Sequence, residues 1–205
     1  PLTGSLTIEQ RRQAVVAELL RKQKIKFQNR NEWLAAKAII DGEVTISGHD
    51  YPAKTVDFRR DASLDYVLSG GARWDQSTAD PLADLKVARA NANARSGARI
   101  VDVVFGATAW GHFANRVDLR ELMNKNYGGN ASQVTLFSDG YEGQEFMGVI
   151  QGLNGAGKIN AWVDTSQYID DSGVAQYYLP QDTVVGVSPM VEGVRCFGFY
   201  PMSQH

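Results

Sequence analysis

Cysteine is almost absent from this sequence. Cys196 stands alone in 205 residues, so no disulfide can close within the chain, and the expected compartment is a reducing cytoplasm. Histidine is nearly as scarce. His49, His112 and His205 are scattered, and none stands at ligand spacing to another or to Cys196, so no metal site is expected. Neither sign of charge dominates: the formal net charge of −2 provides no global field for nucleic acid or an anionic membrane. No apolar run approaches the roughly 20 residues of a membrane helix. The opening segment lacks the pattern of a signal peptide. Because the chain opens on Pro1 and not on Met, a processed product or a piece of something longer is expected. What the chain does hold is apolar and aromatic mass: 43% hydrophobic residues, with four Trp, eight Tyr and eight Phe. That is enough to bury a core, which argues against intrinsic disorder.

Thr7, Ile8, Glu9 and Gln10 form a capping-box signature, and no Gly or Pro follows until Gly42 supplies a stop. One helix over 7–41 would be roughly 50 Å long at about 1.5 Å per residue. Its ends are apolar (Val15, Val16, Leu19 and Leu20, then Trp33, Leu34, Ala38 and Ile39). Its middle offers only Ile25 and Phe27 among Arg21, Lys22, Lys24, Lys26 and Arg30. A helix with such a middle crosses a surface or bridges to a neighbouring chain, and a solvated helix in a monomer fits the pattern equally well.

After Gly42 the period becomes two. Val44 and Ile46 mark one strand, a turn over 49–54 contains Pro52, and 55–58 and 64–68 read as two further strands of a small antiparallel sheet. Asp80 then caps a helix with Pro81 at its first position and Leu82, Leu85, Ala88 and Ala92 along one face, ended by Gly97. The run from Ile100 to Phe105 reads as a buried strand, followed by a helix carrying Trp110 and Phe113 and a further helical stretch from Val117 to Met123. Beyond Gly128 the expected strands are 134–137, 145–151, 160–163, 175–179 and 183–187, with a turn at 170–173 joining two of them. The best boundary lies between Ser69 and Asp80.

Catalytic motifs are few. Gly152, Gly157 and Lys158 fit part of a phosphate-binding loop, but Ile159 stands where a Ser or Thr hydroxyl is needed, and the residues after it have a strand pattern. A glycine-rich loop is the better reading. There is no G-x-S-x-G elbow. Cys196, although beside Arg195, has strand-like neighbours and reads as a buried structural thiol. Asp80 and Asp84 complement a helix start, and Asp170 and Asp171 sit in a turn. No cofactor and no catalytic centre are expected, which favours a structural or binding role.

Several ordered segments resemble the lambda-type family of tailed-phage major capsid proteins. They are Glu32, Trp33, Leu34 and Lys37 running through Gly42 into Val44, Ile46 and Gly48; Val56 to Arg60; Ala72 to Asp75; Ser77 to Leu85; Val103 to Gly106 before the Trp110 helix; and Tyr178, Leu179 and Pro180 before Thr183 and Gly186. The resemblance implies an α+β, HK97-type capsid fold: a long spine helix, a small antiparallel sheet and a mixed α/β axial domain. Residues 1–75 would be a peripheral domain fragment and 76–205 the axial domain. It implies a structural, non-enzymatic subunit of an icosahedral phage or prophage head, self-assembling around DNA. The expected partners are copies of itself in hexamers and pentamers, with a portal, a scaffold or maturation protease and a decoration protein. Contact with packaged DNA would be non-specific at most, and there would be no membrane association. The location implied is the virion capsid, after assembly in the bacterial host cytoplasm. Family members are longer: the N-terminal arm, the extended loop and the returning C-terminal strands have no counterpart here, so a fragment is expected. Arg21, Lys24, Arg30 and Lys158 are the candidate intersubunit contacts. A monomeric head-associated adaptor, or a nucleotide-binding protein using the loop at 152–158, are the alternatives.

Overall fold

Helix α1 (Ile8–Asp41) runs unbroken for 34 residues, for the reasons its sequence advertises. The Thr7 hydroxyl accepts from the Gln10 backbone N–H while the Gln10 side chain accepts from the Thr7 N–H, so two orphan donors are satisfied at once. At the far end Gly42 takes φ 71°, a left-handed turn that favours glycine. The computed structural model describes residues 7–48, 51–116, 143–150, 158–170 and 172–190.

Strands β1 (Glu43–Gly48) and β2 (Tyr51–Asp57) leave α1 as an antiparallel ribbon, with Val44 opposite Val56 and Thr45 opposite Thr55. The two threonine hydroxyls share a 2.8 Å hydrogen bond across the ribbon. The connection is tighter than the sequence suggests, because Pro52 falls inside β2 and not in the turn. Pro52 is tolerated there because the ribbon has two strands and every position lies on an edge. The strand expected over 64–68 does not form. Asp61 instead accepts from the Ser63 N–H and caps a short 3₁₀ turn at Ala62–Leu64. Leu64 and Leu68 are partly covered, but Val67 is 93% exposed, and Tyr66 and Ser63 are held by the Asn91 side chain. Alternation is present without a partner edge, and a strand needs both.

Helix α2 (Pro81–Ser96) is capped by Asp80, whose carboxylate accepts from the Ala83 N–H, and closed by left-handed Gly97. Beyond it lies a mixed sheet in the order β4–β5–β3–β8: β3 (Asp102–Gly106), β4 (Gln144–Ile150), β5 (Ile159–Asp164) and β8 (Val184–Val187). β3 pairs parallel to β5 and antiparallel to β8, while β4 runs antiparallel to β5. Period-two alternation puts Val103 and Phe105 of β3, with Ile159, Ala161 and Val163 of β5, into one core. Leu85 of α2 and Phe113 of α3 (Ala107–Ala114) cover them. Trp74 joins this core at 5.9 Å from Phe113 and is oriented by its indole N–H donating to Asp84 at 2.8 Å. On the other sheet face Asp102 accepts from Asn160 Nδ2 and Trp162 Nε1, and Trp162 packs on Phe146. The turn at 170–173 joins β6 (Gln167–Ile169) to β7 (Ala175–Tyr177), a hairpin whose first strand the sequence pattern had not indicated. The helical stretch expected from Val117 to Met123, the strand at 134–137, and Cys196 lie outside the described residues.

Candidate assembly surface

No residue of α1 is buried. The described residues hold the helix through its C-terminal part, from Asn29 to Ile40. Trp33 donates its indole N–H to the Tyr168 hydroxyl at 3.1 Å, and the Tyr178 hydroxyl lies 3.5 Å from the Asn29 carbonyl. Tyr168 and Tyr178 pack against each other at a tilt with centroids 4.9 Å apart, so the hairpin and the residue after it present one aromatic clamp to the helix. Arg60 closes the C-terminus. Its guanidinium donates to the carbonyls of Ile39 and Ile40, two of the orphan acceptors of the last turn, and it pairs with Asp65 at 2.5 Å. α1 has no basic residue of its own in that turn, so Arg60 supplies from sequence position 60 the cation the helix dipole favours.

The remaining length, residues 8–28, projects about 30 Å at about 1.5 Å per residue. Along it Ile8, Val15, Leu19, Leu20 and Phe27 are each more than half exposed. Exposed apolar residues in this number along one helix mark a candidate interaction surface. Its charge is also lopsided. α1 holds eight Lys or Arg against four Asp or Glu, while the rest of the chain holds thirteen against nineteen. The helix is therefore +4 and the remainder −6.

The four residues singled out from the sequence lie in different settings. Arg21 is exposed and bonded to Glu18 at 2.8 Å, which holds the Glu18 carboxyl below its ordinary pKa and raises that of Arg21. Lys24 is exposed and has no ion-pair partner among the described residues. The Arg30 guanidinium lies 4.3 Å above the Trp33 ring, a cation–π stack that braces the clamp, and the side chain stays exposed. Lys158 is exposed at the start of β5, far from the other three in sequence. Residues 152–157 lie outside the described residues, but Lys158 leads directly into strand β5 and not into a helix whose N-terminus could hold phosphate. Among the described residues no group of His, Cys, Asp or Glu is arranged to hold a metal, and no helix is long and apolar enough to cross a membrane. His112 is half-buried in the last turn of α3.

The clamp was invisible in the sequence. Trp33 and Tyr168 are 135 positions apart, and nothing local about either marks the other as its partner. Burial raises the Tyr178 pKa above its ordinary value, helped by the nearby negative charge of Glu32 and by Tyr168.

A long helix with no buried residue, a two-stranded ribbon and a helix-covered mixed sheet make up an α+β architecture of the HK97 type. A crystal structure assigned as the capsid protein of a prophage of E. coli CFT073 superimposes with a TM-score of 0.64 at 20% identity, over 90% of this chain and 52% of that one. The chain belongs to the family of phage major capsid protein E, whose model matches residues 1–201. It is 25% identical over 192 residues to the major capsid protein of Escherichia phage lambda, covering 92% of this chain and 53% of that protein. The major capsid protein of Enterobacteria phage phi80 matches at 25% over 191 residues. The P21 prophage-derived major head protein of Escherichia coli O6:H1 matches at 24% over 192. The chain spans about half the length of the curated relatives it matches.

Proposed function

We propose that this chain is a substantial part of a structural subunit of an icosahedral phage or prophage head, which self-assembles into the shell enclosing the genome. One observation carries the reading beyond family membership: a 34-residue helix with no residue buried. A helix with no buried residue gains little from tertiary packing in a monomer, and helical stability in proteins comes mostly from packing. Neighbouring subunits in a shell supply the missing cover. Opposite net charges on the helix and on the rest of the chain suit copies packing against one another. Closed shells repeat such contacts by symmetry, through rings of five and six copies.

In this reading the region up to residue 75 is peripheral and the sheet domain from 76 onward is axial. Arg21, Lys24, Arg30 and Lys158 contribute to contacts between copies. A portal, a scaffold or maturation protease and a decoration protein are further partners. DNA is met only non-specifically, and no cofactor takes part. The subunit resides in the virion capsid after assembly in the host cytoplasm. Electron microscopy of the full-length parent, expressed with its neighbouring head proteins, tests the proposal. Uniform shells, or rings of five or six copies, are expected; dispersed monomers across a range of salt concentrations would refute it.

A further inference from the structure

Two exposed apolar surfaces of this chain carry opposite charge. On α1, Val16, Leu20 and Phe27 follow one another at spacings of four and seven, so they share a face, and all three are exposed. Lys24, one turn beyond Leu20, and Arg30, three residues after Phe27, border that face. Residues 8–28 hold six Lys or Arg against two Glu. On the β6–β7 hairpin, Tyr168 turns to α1, so strand alternation sends Ile169 to the opposite face, where it pairs with Ala175. Ile169 is 66% exposed, and Tyr177, opposite Gln167 on that same outer face, is exposed as well. From 167 to 177 the sequence holds Asp170 and Asp171 and neither Lys nor Arg.

Charge selects among the possible pairings of such surfaces. Two copies of α1 laid face to face would set a surplus of positive charge against the same surplus, which repels. The ribbon region, residues 43–60, holds three Lys or Arg against three Asp or Glu and favours neither sign. Asp61 and Asp65, near the exposed Tyr66 and Val67, are already paired with Arg95 and Arg60. Asp170 differs: among the described residues it has no ion pair, and the Val174 N–H it accepts from holds its carboxyl below the ordinary pKa. The helix does not serve its own hairpin's outer face. The inner face of that hairpin holds Trp33, and Leu20 lies about 20 Å further along the axis at about 1.5 Å per residue. We propose that the Val16, Leu20 and Phe27 face of α1 in one copy docks on the outer face of the β6–β7 hairpin in a second copy, bringing Leu20 to Ile169 and Lys24 to the hairpin's aspartates. The proposal rests on the shell reading and adds which two surfaces meet. Because the surfaces differ, each copy gives a helix to one neighbour and a hairpin to the next, and such head-to-tail contacts close into rings.

Charge exchange in the full-length protein tests it. Ile169→Lys sets a cation against the basic helix, and Leu20→Glu sets an anion against the acidic hairpin. Each alone is expected to lower the yield of shells about tenfold or more. Combined in one chain, the two changes meet as opposite charges across the contact and are expected to restore most of that yield. Both positions are exposed, so either variant of the isolated chain should melt as wild type does. If Ile169→Lys does not fold, Gln167→Lys on the same hairpin face takes its place. Single variants that assemble like wild type, or a double variant no better than the worse single, overturn the proposal. If the wild-type full-length protein forms no shells, the shell reading fails separately, and disulfide trapping decides. Leu20→Cys and Ile169→Cys versions of this chain, each with Cys196→Ser, are then mixed at high concentration and oxidised. A mixed disulfide supports the contact. Monomers alone overturn it, as do dimers of Leu20→Cys chains only, which would mark helix-to-helix pairing.

Discussion

Replacing Trp33 with alanine tests how α1 is held. The substitution removes the 3.1 Å bond to Tyr168, the stacking surface for Arg30 and the ring packed against the hairpin. A fully buried Trp→Ala change costs about 3–5 kcal/mol. Trp33 is only partly buried, which scales the loss to about 2–3 kcal/mol. Tyr168→Phe isolates the hydrogen bond. Its loss is predicted at about 0.5–1 kcal/mol, because water can reach a half-buried indole N–H. The two variants differ in kind as well as size. With the clamp gone, the described residues hold α1 through Arg60 and the ribbon at its C-terminus, so it frays while the β3–β5 core persists. Hydrogen exchange of the isolated chain reads this directly. In Trp33→Ala the amides of residues 20–35 are expected to lose protection by one to two orders of magnitude, with β3 and β5 amides unchanged. Equal loss of protection in helix and sheet would show that α1 and the core unfold as one unit. Unchanged protection in α1 would show that the clamp contributes nothing. Either result refutes the reasoning.

Gly106→Ala probes the junction of β3 and α3. A Cβ there would stand 2.6 Å from the Pro180 carbonyl oxygen, against backbone that cannot turn aside, so denaturant unfolding should show a loss of about 1–3 kcal/mol. Alkaline titration tests the clamp from its other side. The folded-state pKa of Tyr178 is raised, so the native state holds that proton more tightly than the unfolded chain, whose tyrosine titrates near 10.0. The associated stability is fully present below about pH 10 and is lost as pH rises through the folded pKa. Tyr178→Phe should flatten that part of the stability profile, and an unchanged profile would contradict the assignment.

Where local chemistry decides the outcome, the sequence was legible. The capping box at Thr7, the stop at Gly42, the Asp80–Pro81 start and the Gly97 end each act within one helical turn, and all four appear where the residue types require them. The alternation of Val103 and Phe105 likewise announced the central strand, because burial of one sheet face has period two. The expected strand at 64–68 shows the limit. Its pattern was right for a strand, but pairing depends on an available edge, and a neighbouring helix held the segment through Asn91 instead.

The sequence by itself determined the length and composition of α1, and with them a helix whose polar middle does not suit a core. Only the tertiary structure decided which part of that helix is held and which is left open. That depends on Tyr168 and Tyr178 arriving from the far end of the chain and on Arg60 reaching back to the last carbonyls. Burial of Arg89 has the same origin: an arginine four residues after a leucine is ordinary in sequence, and is enclosed only once α2 packs on the sheet domain. Contacts between distant residues carry no local signature, since their free energy exists only once the chain has brought them together.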